Sequence, residues 1–505
     1  MNANLASIMP QAISAWCEEE GHDVTYVCYT GTEALDRILP ARSDVIFIGA
    51  FTEAAQLSYA ISSFYRARGT VTVLGGPHAR CYPEDAAFYF DYVLGLTDKE
   101  TVRDVLQDCA PHRPLGVRLG ASRQPAQLPG VRARWKFIEA ALAKAPTFKM
   151  VPMLASLGCP YTCSFCIDSS IDFHAFEFDQ LKDDLRFLRT KMRRPLVGWH
   201  DPNFGVRFDE TLGAIEEAVP PGSMDFAAES SLSLLSEPRL ERLRKNGFGA
   251  LLPGVESWFS LGNKSRAASL TGADKMRQVA AHVNMILRYV PYVQTNFVFG
   301  LDCDEGTGPF ELTKQFVDLV PGAFPAYSLL TAFGRAAPLN LEFQRDGRVL
   351  PFPHHFLNNT LAMNVRPLNY QWPEFYDNMI DLTRHSFSAR AVTRRFAGNR
   401  KGIPRWLNLV RGVAGEGLGR LSYYKKVRHL LRTDGGARRY FDGESTELPS
   451  FYSDRVRRQL GSFWPLLPEG ALHHDSHAYL RAEEGTPLPI GQPRAVRIAR
   501  ARKPA

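Results

Sequence analysis

Two stretches of this 505-residue chain alternate short β-branched or aromatic runs with amphipathic ones. That alternation confines each stretch to a parallel sheet covered by helices, an α/β fold. In the first stretch, Val24 to Tyr29, Asp44 to Ala50, Val71 to Leu74 and Tyr92 to Leu94 read as strands, and 9 to 20, 53 to 68, 82 to 90 and 98 to 108 as helices. The expected unit is a doubly wound, Rossmann-like sheet whose ligand crevice lies at the carboxyl ends of its strands. The second stretch starts at Met150, with strands predicted at 150 to 157, 195 to 200, 223 to 229, 249 to 255, 292 to 299 and 325 to 331. Six β/α units make a partial (β/α)6 barrel, and chemistry in such barrels sits at the carboxyl end of the strands. The expected organisation is a Rossmann-like unit over 1–110, a Pro-, Gly- and Arg-rich linker with one short helix over 111–148, the barrel over 149–340, and a helical lobe over 341–505. Its Arg- and Pro-rich tail after 485 is expected to fray.

Immediately after the first barrel strand, Cys159, Cys163 and Cys166 fall within ten residues of one another, flanked by the turn-formers Gly158 and Pro160. Soft thiolates at gaps of three and two residues suit an iron-sulfur cluster held at three irons, with the fourth iron open to a small-molecule ligand. Phe165, just before the last cysteine, offers an apolar lid with a backbone edge beside it. The same thiols can be read as a zinc site, which would need a fourth ligand such as His174, or as unrelated buried cysteines.

Polar residues gather at the later strand ends: Asp201 and Asn203 after the second strand, Glu229 after the third, Gly254, Glu256 and Ser257 on the fourth, and Asp302 to Glu305 after the fifth. Any one of them can simply cap the following helix, whereas in succession they can line one mouth. In the first unit, Gly75, Gly76, Pro77 and His78 form a tight turn after a strand, either a structural corner or a close approach to a ligand.

The Cys-x3-Cys-x-aromatic-Cys loop resembles that of the radical S-adenosylmethionine (SAM) enzymes, matched here by Cys159, Cys163, Phe165 and Cys166. The resemblance implies a 4Fe-4S cluster on the three cysteines, cleavage of SAM to a 5′-deoxyadenosyl radical, and a one-electron donor such as flavodoxin or ferredoxin. Gly254, Glu256 and Ser257 resemble the family's G-x-E-S segment near SAM, and Asp201 and Asn203 the D-x-N-F element of one subgroup; Glu229 joins them as an implied SAM contact. The N-terminal order of Gly21 to Val24, Ile48 to Thr52, Gly75 to His78 and Asp91 to Gly95 resembles the cobalamin-binding domain fused to many of these enzymes. Cobalamin is thereby implied, near Thr52, Gly75, Gly76 and His78. The D-x-H-x-x-G motif that would supply a lower cobalt ligand is missing, and so is the customary first strand. The implied activity is cobalamin-dependent methylation of an unactivated carbon in a small-molecule substrate. Cobalamin-independent rearrangement or cyclisation, and a sensor without turnover, are the alternatives.

Cys17, Cys28, Cys81 and Cys109 read as buried hydrophobes, and Cys303 as helix-entry packing or as a thiol that donates a hydrogen atom to a substrate radical. The run from His473 to His477 reads as a solvated loop, or as ligands for a second metal. Apolar residues make up 45% of the chain and charged ones 22%, as in soluble globular proteins. With no long apolar run and no basic-then-apolar leader, a cytoplasmic enzyme is expected. The net charge of +7 concentrates beyond about residue 380, where Arg390, Arg394, Arg395, Arg405, Arg411, Lys425 and Lys426 accompany Trp406, Leu409, Val410 and Leu418. The expectation there is a lobe with its apolar face inward that closes the substrate cavity, not a membrane- or nucleic-acid-binding surface.

Overall fold

The computed structural model describes residues 7–109, 117–119, 124–145, 149–475 and 494–495, apart from 32, 170, 260–269, 400 and 401. Its first sheet holds β1 (Val45–Gly49), β2 (Val71–Gly75), β3 (Tyr92–Leu94) and β4 (Val117–Leu119), parallel and side by side in that order. Alternation along the strands sends Phe47, Val73 and Tyr92 toward Trp16, Val102 and Val105 of the helices Ile8–Glu19 and Lys99–Asp108. Ile48, Leu74 and Val93 face Ala55, Tyr59 and Ile61 of the helix Ala55–Arg66 on the other side. Helices on both faces are what bury a parallel sheet.

Two expectations fail here. Val24 to Tyr29 forms no ladder. In the doubly wound order 2-1-3-4-5, a strand at that point of the chain pairs with one that precedes the first helix, and no such strand is found among the described residues. The segment is held by side chains instead, with Tyr26 against Phe137 at 5.4 Å and Lys144 Nζ donating to Cys28 O at 2.8 Å. The stretch read as a linker contributes β4 to the sheet and a long helix, Val131–Ala143. Arg118, central in β4, interrupts the apolar run that would have revealed it. The helix couples the two sheets, since Asp184 of the barrel accepts from Val131 N at 2.6 Å while the buried Arg134 donates to Gln11 at 2.9 Å. Of the tail, only Arg494–Ala495 is described, paired antiparallel with β4; the rest after 485 lies outside the described residues.

The second sheet places β5 (Met150–Met153), β8 (Leu196–Trp199), β9 (Asp225–Ser231), β10 (Phe248–Glu256), β11 (Tyr292–Phe299) and β12 (Phe324–Leu329) in sequence order, all parallel. All six predicted barrel strands form. β6 (Ser156–Leu157) and β7 (His174–Ala175) make a separate antiparallel pair. Trp199, Phe204, Phe226 and Phe248 form one run of buried aromatic contacts at 5.0 to 6.0 Å between centroids. Burial of a side chain of this size contributes about 1.5–3 kcal/mol.

Beyond the barrel the lobe is helical, led by Trp372–Ser386, Ala389–Gly398, Ile403–Val413, Arg420–Thr433 and Ser450–Leu460. Arg395 is buried under the barrel, donating to Ala323 O and Ser386 O at 3.0 Å each. The helix Ile403–Val413 departs from the inward-apolar expectation. It buries Asn408 and Gly412 and exposes Ile403, Trp406, Val410 and Val413, because Gly412 permits the close approach to Phe387 and Val392 that a bulkier face would prevent.

Gly334 adopts φ +58°, and a Cβ there would stand 1.9 Å from Cys81 O in the first unit. Gly347 has φ +63° with open space around its Cβ position. Gly334→Val should therefore cost more than about 3 kcal/mol in chemical denaturation, against about 1 kcal/mol for Gly347→Ala, which carries only the backbone penalty. Equal losses would mean that the two units do not meet at this point.

Candidate active site

The ladder between β6 and β7 pairs Ser156 with Ala175 and Leu157 with His174, closing the base of the cysteine loop. Gly158 enters it at φ +68°, and a Cβ there would lie 2.2 Å from Asp172 O, so only glycine lets the two ends approach. Cys159 N donates to Ile171 O at 3.4 Å and Cys166 N to Cys163 O at 3.0 Å. Cys159, Cys163 and Cys166 are in no disulfide, Cys163 being buried and the other two half-buried. Asp168 N points at Cys166 Sγ from 3.5 Å, a contact that favours thiolate. Two distant elements grip the loop: Arg80 of the first unit donates to Ile167 O at 2.6 Å and Asp168 Oδ1 at 3.2 Å, and Leu339 N donates to Ser164 O at 2.8 Å. His174, the extra ligand a zinc site would need, is exposed with Nε2 2.9 Å from Ala126 O. The loop thus presents three thiolate donors with half-buried Phe165 beside the third, the donor set that fits a 4Fe-4S cluster with one iron left open.

Asp201 sits behind this loop rather than in the mouth. It is 3% exposed, and its carboxylate accepts from Ala155 N at 3.1 and 3.2 Å and from Ser156 Oγ at 2.5 Å. Burial pushes its pKa up to about 6. Asn203 likewise bonds protein, its Oδ1 accepting from Ser231 N at 2.9 Å, while Nδ2 is buried without a partner. Phe204 N donates to Glu229 O at 2.8 Å, and the Glu229 side chain is exposed on β9. The Asp-x-Asn-Phe run ties the exit of β5 to the end of β9, and the Asp201 carboxylate is engaged by the backbone and side chain of the segment just before the cysteine loop. The reason is register: the carboxylate falls level with Ala155, just before the loop, where backbone donors need an acceptor.

At the end of β10 the chain bulges between Gly254 and Glu256, and Glu256 takes φ +65°, unusual outside glycine. Its carboxylate folds back so closely that a Cβ on Gly254 would stand 2.2 Å from Glu256 Oε1. Ser257 Oγ accepts from Phe259 N at 3.1 Å and lies 3.7 Å from Cys303 Sγ, while buried Lys275 donates to Ser257 O at 2.6 Å. Desolvation lowers the Lys275 pKa, opposed by Cys303 and Glu256. Asp304, 1% exposed, accepts from Gly300 N and Leu301 N at 3.2 Å each, and burial pushes it up to about 7. The ends of β10 and β11 therefore share one cluster of Glu256, Ser257, Lys275 and Cys303. Lys275 escaped the sequence reading because it lies on a helix with no motif around it, and Arg80 because it falls just past the turn from Gly75 to His78.

In the first unit, Gly76 at φ +88° would place a Cβ 2.9 Å from Ala50 O, and His78 N closes the turn on that same oxygen at 3.0 Å. Its glycine requirement belongs to the turn. Gly75, ending β2, has open space where its Cβ would be. Thr52 and His78 are buried beneath, His78 with Nε2 2.6 Å from Tyr59 Oη. Of the four residues expected near cobalamin, Gly75 alone combines a strand end with a free flank; Thr52 and His78 support it from below.

The Asp304 shift sets a pH dependence. An unfolded Asp titrates near 4 and the native one near 7. Between those values the native state holds the extra proton, so stability falls as pH rises across the window. Asp304→Asn should flatten that decline by roughly 1–3 kcal/mol in denaturation series at pH 5 and pH 8. An unchanged slope would place the ionised form in the native state throughout.

No protein-family model matches the chain. It is 23% identical over 362 residues to bacteriochlorophyllide d C-12(1)-methyltransferase of Chlorobaculum tepidum, covering 70% of this chain and 77% of that protein. It is 24% identical over 320 residues to bacteriochlorophyllide d C-8(2)-methyltransferase of the same organism, covering 57% of this chain and 66% of that protein. Among solved structures it superposes on the cobalamin-dependent SAM radical enzyme OxsB, solved with aqua-cobalamin bound, at a TM-score of 0.51 and 12% identity, covering 95% of this chain and 78% of that one. The three-cysteine loop at the end of the first barrel strand and the Rossmann-like unit ahead of the barrel thus stand in a chain that is similar in sequence to two methyltransferases and shares its fold with a solved cobalamin-dependent SAM radical enzyme.

Proposed function

We propose that the protein methylates an unactivated carbon of a small molecule, with a 4Fe-4S cluster on Cys159, Cys163 and Cys166, SAM at the ends of β9 and β10, and cobalamin against Gly75. The observation that carries this reading is the pinning of the three-thiol loop by Arg80 at 2.6 Å, which brings the carboxyl end of the first sheet against that of the barrel. When bound, the cluster supplies the electron that cleaves SAM and cobalamin carries the methyl group. The chain's own residues do the rest. Gly254 leaves the room into which the Glu256 carboxylate folds back, that carboxylate, held at a strained backbone, accepts from hydroxyl or ammonium groups, and Asp201 fixes the loop on which the thiols stand. The exposed Glu229 carboxylate is a second acceptor at the same mouth. A one-electron donor such as flavodoxin or ferredoxin is the partner this chemistry requires. The names of the two relatives make a tetrapyrrole the first substrate class to assay. No helix among the described residues is long and apolar enough to cross a membrane.

Anaerobically reconstituted protein should hold about four irons per chain and release 5′-deoxyadenosine from SAM under a low-potential reductant. With SAM labelled in its methyl group and cobalamin present, the label should appear in a chlorin-type product. Cys163→Ala should lower iron to below about one per chain and abolish SAM cleavage; normal cleavage by that variant would refute the cluster assignment.

Gly75→Trp fills the open flank of the turn without touching the Ala50 backbone. We expect cobalamin retention after gel filtration to fall at least about tenfold with iron content unchanged, since a bulky side chain excludes a flat macrocycle from that face. Wild-type protein that takes up no cobalamin would shift the reading to radical rearrangement or cyclisation.

A further inference from the structure

Below the Gly75 turn, three histidines from distant parts of the chain share a buried pocket of the interface. His78 belongs to the turn, His354 opens a short helix of the C-terminal lobe, and His474 follows the last helices. They are 0%, 0% and 7% exposed. Asp85 Oδ2 accepts from Tyr59 Oη at 2.6 Å and from His354 Nε2 at 2.9 Å, and Tyr59 Oη also meets His78 Nε2 at 2.6 Å. One ligand atom from each of His78, Asp85 and His354 lies within 4.8 Å of the others. The His474 ring stacks on His354 at 4.2 Å, and both its nitrogens are buried without a partner. Nδ1 of His78 and Nδ1 of His354 are partnerless as well. Four orphaned nitrogens in one buried cluster are costly, since each desolvated polar atom costs about 1–3 kcal/mol.

We propose that His78, Asp85, His354 and His474 bind a zinc ion that clamps the C-terminal lobe to the N-terminal unit. Neutral imidazoles and one carboxylate are the borderline donors zinc prefers, and four side-chain ligands make a closed, structural site. Desolvation depresses the pKa values of His354 and His474 to about 3, which keeps their lone pairs free for a metal at neutral pH. Zinc bonds of about 2.0–2.2 Å require His78, Asp85 and His354, whose ligand atoms already lie within 4.8 Å of one another, to draw inward and His474 to rotate off the face of His354. Tyr59 then orients the ligating carboxylate through its hydrogen bond to Asp85. The role of the site is to hold the turn below Gly75 rigid.

The test uses untagged, cluster-reconstituted full-length protein incubated with equimolar zinc chloride and passed through a desalting column. Elemental analysis should find about one zinc per chain, and zinc K-edge absorption should show nitrogen and oxygen scatterers with imidazole outer shells and no sulfur. The double variant His354→Gln, His474→Gln should lose at least about nine-tenths of that zinc at unchanged iron content, and Asp85→Asn should weaken retention with less disturbance to packing. Retention of less than a tenth of an equivalent by the wild type, full retention by the double variant, or sulfur scattering would overturn the site. Should a variant fail to fold, the wild-type stoichiometry and absorption spectrum decide alone. Neither readout depends on SAM cleavage, so the zinc site and the proposed reaction stand or fall separately.

Discussion

The buried carboxylate of Asp201 holds the point from which the functional half of the molecule is built. A charge taken out of water is costly, and three hydrogen bonds, two from Ala155 N and one from Ser156 Oγ, are what offset the cost. Those bonds decide where the chain leaves β5, and Ser156 at once begins the ladder that closes the cysteine loop. The positions of the three thiols follow from that exit.

Around the loop, distant parts of the chain meet, and small, specific contacts do the joining. Arg80 reaches from the Rossmann-like unit to the loop backbone, Leu339 from the segment after the barrel, and Gly334 lets the barrel exit touch Cys81 O with no side chain between them. The helix Val131–Ala143 adds a rigid link through Asp184 and Arg134. The units therefore meet with the carboxyl ends of both sheets on one side, the geometry that two cofactors acting on one substrate require.

Strain is concentrated at the end of β10. Glu256 holds a left-handed backbone beside a bulge, next to the desolvated Lys275 and the protonation-prone Asp304. Strained backbone and perturbed titration together are typical of ligand-binding positions, where neighbouring packing sustains conformations a free chain would avoid.

Local chemistry made much of this readable in the amino-acid order. Cysteine spacing marked the three-thiol loop, strand periodicity located the six barrel strands, and the run from Gly75 to His78 marked a tight turn. These are short-range properties, set by residues a few positions apart. The sequence by itself could not show that Arg118 would sit inside a strand, or that Asp201 would face backbone donors. It also presented His474 as part of a polar run, whereas the fold buries it against His354 and Tyr82, more than a hundred residues away in the chain. Burial, pairing and ligand sets depend on which distant segments arrive at the same place, and only the tertiary structure decides that.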